Sequence, residues 1–433
     1  MIRRDKLYKF IYLLIPISLV TEFFDFYLGI TKITFVLKML GLIATLMVLR
    51  SSIRRCDNSS KIKNFAVAFL CYYVFTSVFY IFNGRPLVCL LNEYYNFIPA
   101  LCFFFIGMSD PDKENKLYRY FLLACTISMI IGLGLYVTTP GWYITRYTEL
   151  ANKAWFASYN YSENDILSTL RFSSYLGDTY IVNIYAIVAL SISLFAYYYT
   201  CRLKSSDNRK IRWYLFLCIC VNFISAIMTQ QRVAMAVGFI ILVAYLIYGI
   251  VKGYGRTSFR IIFVFSLLLL FVIVYAYSHF ADRMDMFKLL LSGRMENMSF
   301  SKAMGERNYQ MDLLKYHWDS PILGMGAGSG ESIARSLGFP GVSDCSYIAL
   351  LYDTGIVGGF LFLAIMLKSI LRGLHFLKYY LVELGIMFFV LVAMIGSNTI
   401  HMGLMCTLPF WYAVGRIWNK DYLKYAIENK IYV

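Results

Sequence analysis

The side chains in this sequence best suited to chemistry are guanidinium groups. Arg146, Arg171, Arg283, Arg294, Arg307 and Arg335 fall in two long polar segments, and Arg232 sits between apolar blocks in MTQQRVAM. Lysine is scarcer in the same segments, which hold Lys153, Lys288, Lys302 and Lys315. A planar guanidinium fork grips a carboxylate or a pyrophosphate through two parallel hydrogen bonds, whereas an ammonium is a point charge. Gln230 and Gln231 beside Arg232 add polar groups that a simple interfacial anchor does not require. A second feature is PILGMGAGSGESI, residues 321–333, with Gly324, Gly326, Gly328 and Gly330. No strand precedes it, no ribose-binding acid follows, and no Gly-Lys-Ser/Thr is present, so neither nucleotide-binding pattern fits. What remains is a plain turn, or a turn whose backbone amides could meet an anion.

These groups need a scaffold, and composition says which kind. The chain of 433 residues is 59% hydrophobic and 15% charged, against roughly 25% charged for a soluble domain. Its apolar blocks run to about 20 residues, the length of a helix crossing a hydrocarbon core of about 30 Å. Strands of a membrane barrel would instead alternate over about ten residues. The expected fold is an all-α polytopic membrane protein, read as one integral membrane domain over 1–433. Its transmembrane helices, about twelve, are placed near 10–29, 33–49, 65–82, 87–108, 119–138, 179–201, 213–230, 233–251, 260–278, 345–367, 379–397 and 403–418.

Orientation follows from the cations. They concentrate in RSSIRRCDNSSKIK, DPDKENKLYR, RLKSSDNRKIR, KGYGRTSFR and KSILRGLHFLK, which the positive-inside rule assigns to the cytoplasm together with both termini. The net charge of +16 is then an orientation signal, and no nucleic-acid partner is needed to explain it. Two segments on the other side, 139–178 and 279–344, exceed connector length and are expected to be large periplasmic loops. In the second, Met304, Leu313, Leu314 and Trp318 recur at helical intervals before Pro321, as in an amphipathic helix lying on the membrane. The basic start MIRRDK lacks a following cleavage site, so the first apolar block is expected to be retained. The ten cysteines show no disulfide or zinc spacing. No outer His/Asp/Glu cluster has metal-ligand spacing either, so no cofactor or metal is expected.

In its last half the sequence resembles the O-antigen polymerase and ligase superfamily of bacterial envelope glycan assembly. The resemblance rests on TQQRVAMAVGF at an outer helix junction, GERNYQMDLLKYHWDSPILGMGAG, and SDCSYIALLYDTGIVGGFLFL entering a span. The family pattern is an arginine at a helix junction, an arginine opening an amphipathic helix, a Pro-x-x-Gly-x-Gly turn, then a polar residue shortly before a Gly-x-x-Gly. Arg232, Arg307, Pro321 to Gly326, Asp344 and Gly355 to Gly358 stand at those places. Ligases of the WaaL type usually carry histidine where this chain has Asp344, and His279, His317 and His401 do not fall there. The likeness is therefore closer to Wzy-type polymerases.

That resemblance implies a glycosyltransferase of the bacterial inner membrane with its active site facing the periplasm. Its substrates would be undecaprenyl-pyrophosphate-linked repeat units, joined into the polysaccharide of lipopolysaccharide O-antigen, and a chain-length regulator is a possible partner. Arg232 and Arg307 would neutralise the departing diphosphate. Asp344 would accept the acceptor's proton, or cap the helix that follows it, or both. Arg171, Arg294, His317, Gln231, Gly324 and Gly326 would contact substrate. An O-antigen ligase transferring polymer to lipid A core is the neighbouring alternative. A lipid-linked glycan transporter is the alternative from another class. Carriers hold ionisable groups near mid-membrane, and Glu22, Asp25 and Lys38 are the residues read that way within the spans.

Overall fold

A computed structural model describes residues 4–28, 32–55, 61–112, 115–154, 172–176, 179–202, 208–229, 232–251, 253, 313–330, 345–396 and 404–428. Among them the chain is almost entirely helical, with no strand. In chain order the helices are α1 (Arg4–Leu28), α2 (Lys32–Arg55), α3 (Lys61–Phe82), α4 (Leu87–Ser109), α5 (Lys116–Thr138), α6 (Gly141–Ala154), α7 (Thr179–Arg202), α8 (Asn208–Met228), α9 (Arg232–Val251), α10 (Ser346–His375), α11 (Leu377–Gly396), α12 (Leu404–Arg416) and α13 (Lys420–Glu428). A short 3-10 turn, Ser174–Leu176, lies between α6 and α7.

Eight of these helices are long and apolar enough to cross a membrane. The chain is therefore a multi-pass helical membrane protein, because only a helix satisfies every backbone polar group within its own segment in lipid. Helices also lie at the expected spans 33–49, 233–251 and 403–418, but α2, α9 and α12 are not among the eight; the expected span 260–278 lies outside the described residues. Exposed Ile356, Phe360, Leu363 and Leu367 run down one side of α10 at helical spacing, as a lipid-facing stripe should.

The segment 139–178 differs from a plain loop. Residues Gly141–Ala154 form α6, which lays Trp142 and Tyr143 on the end of α1. Tyr143 is fully buried against Phe26, and its hydroxyl donates to the Ser174 carbonyl at 3.1 Å. The Tyr175 hydroxyl donates to Ser128 Oγ at 2.6 Å. Burial pushes both phenols above their ordinary value, so they act as neutral donors that tie this cap to the bundle. In the second long segment the structure describes 313–330 only. Leu313–Tyr316 form one helical turn there, and the rest of the expected amphipathic helix lies outside the described residues.

The centre of the bundle is α4 packed on α12, with residues Phe97–Ile106 and Leu408–Arg416 almost wholly removed from the surface. Gly107 and Gly415 let the two backbones meet: a Cβ at Gly107 would strike the Tyr412 carbonyl, and one at Gly415 the Phe104 carbonyl. Small residues at a crossing are how membrane helices gain close packing without a hydrophobic driving force. Around this seam Phe69, Phe97, Phe362 and Trp411 make edge and tilted ring contacts. The bundle has two distinct polar ends. One holds Asp110, Asn115 and Arg416; the other holds the turn at 321–330.

Candidate functional site at the glycine-turn end

The turn is explained by a break in α10. Gly355 adopts φ 63°, ψ −169°, so the helix opens between its first nine residues and the long remainder. Opening a helix in an apolar bundle orphans carbonyls above the break and amides below it, and each must find another partner. Residues 321–326 supply those partners. The Met325 amide donates to the Tyr352 carbonyl at 2.7 Å, and the Gly326 amide to the Asp353 carbonyl at 3.0 Å. In return the Ile356 amide donates to the Pro321 carbonyl at 2.9 Å and Val357 to Ile322 at 3.3 Å.

This pairing dictates glycine. Gly324 has φ +87°, and a Cβ there would collide with the Asp353 carbonyl and the Gly355 amide. Gly326 has φ +100°, and its Cβ would enter the backbone of Tyr80 on α3. No other residue type tolerates both the positive φ and the close approach.

Below the turn lies a fully buried carboxylate, Asp353. Its Oδ2 accepts from the Gly328 amide at 3.0 Å and its Oδ1 from the Gly330 amide at 2.5 Å. The amides that might have cradled an external anion therefore hold the protein's own. The Gly324 amide is likewise engaged, by the Ser320 carbonyl at 2.7 Å. Beside this knot, Glu93 of α4 is fully buried and accepts the Tyr73 hydroxyl.

The outer surface of the turn is tied to α3 and to the tight connection that follows it. Tyr72 Oη donates to the Leu323 carbonyl at 2.9 Å, and Asn83 Nδ2 to the Met325 carbonyl at 3.0 Å. The Arg85 guanidinium, half-buried in that connection, donates to Tyr352 Oη at 3.1 Å.

The expected site residues distribute as follows. Gly324 and Gly326 form the turn, with both amides engaged inside the protein. His317 lies just ahead of it and is exposed. Arg232 is the first residue of the helix that follows α8. Arg146 pairs with Glu149 at 2.6 Å and reaches the Leu28 carbonyl at 3.4 Å, so it fastens α6 to α1. Asp344, Arg307, Arg171, Arg294 and Gln231 lie outside the described residues.

Three buried carboxyl residues in the helices went unread in the sequence: Glu93, Asp353 and Glu383. They add to Glu22, Asp25 and Lys38 as ionisable groups within the apolar helices. Each interrupts an apolar run, and that interruption was the available signal. Arg85 was legible as the one cation in the connection NGRP between α3 and α4.

No family model matches the chain, and no curated protein matches it either.

Proposed function

We propose that this chain is a Wzy-type O-antigen polymerase of the bacterial inner membrane. It joins undecaprenyl-pyrophosphate-linked repeat units at the periplasmic end of a bundle of about twelve spans, with both termini cytoplasmic. The observation that carries the reading is the docking of Pro321–Gly326 onto the broken helix at Gly355, through four backbone hydrogen bonds that run in both directions. These are two separate pieces of the motif order on which the resemblance rests, and in the folded chain they form one unit. Arg232 is the first residue of α9.

In this reading the lipid diphosphate leaves as the glycosidic bond breaks, and its growing charge is met by Arg232 and Arg307. Asp344 accepts the proton of the attacking hydroxyl. The protein needs no nucleotide sugar at this step, because the leaving group arrives on the donor.

The test is extension of synthetic lipid-linked repeat units by purified protein. Wild type is expected to lengthen them. Arg232→Ala and Arg307→Ala are expected to abolish growth at unchanged membrane abundance, and wild-type polymer length in both would remove them from the mechanism. Asp344→Asn is expected to lower activity far more than stability, since asparagine serves almost equally well as a helix cap. In cells, loss of a polymerase leaves surface glycan of a single repeat, whereas loss of the ligase leaves bare core.

Buried Glu93, Asp353 and Glu383 favour a second reading, a carrier for a lipid-linked glycan, since such groups mark transport pathways in membranes. Protein in liposomes that moves a glycolipid yet never lengthens one would establish the carrier and end the polymerase.

A further inference from the structure

Arg372 stands in the last turn of α10, at the Arg416 end of the bundle. Lys368 and Lys378 flank it in sequence, and no acid occurs between Asp353 and Glu383. A cation at the end of a span is expected on grounds of orientation alone. What sets Arg372 apart is how it is held. Its Nε donates to the Ile417 carbonyl at 2.8 Å, and its guanidinium carbon lies 4.7 Å from the centre of the Trp418 ring and 5.7 Å from that of Phe376. Trp418 is fixed in turn, its Nε1 donating to Oγ of buried Ser369 at 2.8 Å. The carbonyl and the rings occupy one nitrogen and the face of the fork. The two terminal nitrogens take no hydrogen bond or carboxylate among the described residues. They form the edge that grips a phosphate through two parallel hydrogen bonds, and a fork already held still loses little freedom in doing so.

A buried hydroxyl beside it lacks an acceptor. Tyr380, in the first turn of α11, is fully buried, and its Oη has no hydrogen-bond partner among the described residues. Of the charges around that hydroxyl, Arg372 acts on it most strongly, ahead of Glu383 and Arg416. Leaving a buried hydroxyl idle is unfavourable, and an anion seated on Arg372 would give it an acceptor.

The depth of the pair selects the source of the phosphate. Arg372 ends a helix long and apolar enough to cross a membrane, so its guanidinium stands at the level of the bilayer headgroups. Basic sites between helices at that level take anionic headgroups. We infer that Arg372 and Tyr380 form a phosphate-binding site for the headgroup of an anionic phospholipid. The fork takes two phosphate oxygens and the phenol donates to a third. The site lies at the opposite end of the bundle from the glycine turn, and it does not rest on the polymerase reading.

The experiment is a calorimetric titration of the purified full-length protein in neutral detergent, with dioctanoyl phosphatidic acid and glycerol phosphate as separate probes. Arg372→Ala is expected to weaken the lipid about tenfold or more, and Arg372→Lys, which keeps the charge but loses the fork, about threefold. Tyr380→Phe is expected to weaken it about threefold with no loss of stability, because the hydroxyl removed holds nothing inside the protein. A purely structural role would not separate binding from stability in this way. Arg209→Ala, at an exposed cation in the first turn of α8, is expected to leave binding unchanged. Tighter binding of the lipid than of glycerol phosphate assigns the site to the bilayer; equal, Arg372-dependent binding of both assigns it to a soluble phosphate. Wild-type protein that binds neither probe overturns the site, as does Arg372→Ala or Arg372→Lys protein that binds like wild type. Tyr380→Phe protein that binds like wild type overturns the two-residue site. Arg209→Ala losing as much as Arg372→Ala also overturns it, by reducing it to a diffuse attraction of basic surface.

Discussion

At one end of the bundle buried polarity is carried by side chains, and at the other it is carried mainly by backbone. Around Arg416, which is wholly buried, the guanidinium donates to Asn115 Oδ1 at 2.7 Å and Tyr412 Oη at 3.1 Å, lies 3.8 Å from Asp110 Oδ2, and covers the Tyr422 ring at 4.0 Å. Asp110 in turn accepts the hydroxyls of Tyr12 at 2.5 Å and Tyr412 at 2.6 Å. Asn419 donates to the carbonyls of Gly107 and Asp110. Four helices and the connection after α4 are thus stitched together by specific pairs. At the glycine-turn end a helix is broken open and healed by a turn, with the Asp353 carboxylate accepting two of its amides. The difference teaches where change is affordable. The Arg416 end depends on charged and polar side chains, whereas backbone pairing at the other end needs less from the outer side chains of the turn.

The sharpest way to break that comparison is Arg416→Ala. Burial raises the Asp110 carboxyl above its ordinary value, and Arg416 with the two phenols and the Asp112 amide opposes that rise. Without the guanidinium the carboxylate is left buried and uncompensated, at a cost of about 3–5 kcal/mol. Unfolding followed in SDS–detergent mixtures should show this loss. Lowering the pH should recover part of it: a carboxyl whose folded pKa is raised binds its proton more tightly in the folded state, so stability rises as pH falls through that value. A loss below about 1 kcal/mol, independent of pH, would reduce the network to decoration.

The glycine-turn end is tested next by Gly326→Ala. The positive φ and the collision with Tyr80 together should cost about 2–3 kcal/mol. Gly134→Ala is the control. Its Cβ would meet nothing, and in mid-helix alanine should gain about 0.5–1 kcal/mol over glycine. If both substitutions behave alike, the turn is not fastened to α3 as described.

Much of this architecture was legible because its signals are local. Apolar blocks between basic connections gave the helices, and glycines spaced two apart in a polar segment gave the turn. The break at Gly355 was not legible, since LYDTGIVGG reads as unbroken helix until the turn that replaces its hydrogen bonds is in view. Nor was the pairing of Arg416 with Asp110, which joins residues from opposite ends of the chain with no shared periodicity. Asp353 shows the same limit at short range: sequence marks a carboxylate in an apolar run, but not which amides it will take. A pattern of Trp142, Tyr143 and Tyr147 suits stacking on sugar rings as well as it suits the packing on Phe26 and Tyr27 that the structure shows.

The mildest substitutions sharpen the contrast between the ends. Asn83, an exposed residue, donates to the Met325 carbonyl at 3.0 Å. Lys116 lies 3.6 Å from Asp112 across one turn, with its side chain 48% exposed. Both contacts look alike in a static structure, and neither is buried enough to carry much free energy. Asn83→Ala should cost about 0.5–1 kcal/mol, because the Met325 carbonyl it leaves belongs to a buried segment and loses a partner. Lys116→Ala should cost about 0–0.5 kcal/mol, because water replaces an exposed ammonium readily. The order matters more than the sizes. If the lysine proves the more costly of the two in the same SDS–detergent titration, the Arg416 end extends its electrostatic hold to the surface, and the division between a side-chain end and a backbone end has to be redrawn at Asp112.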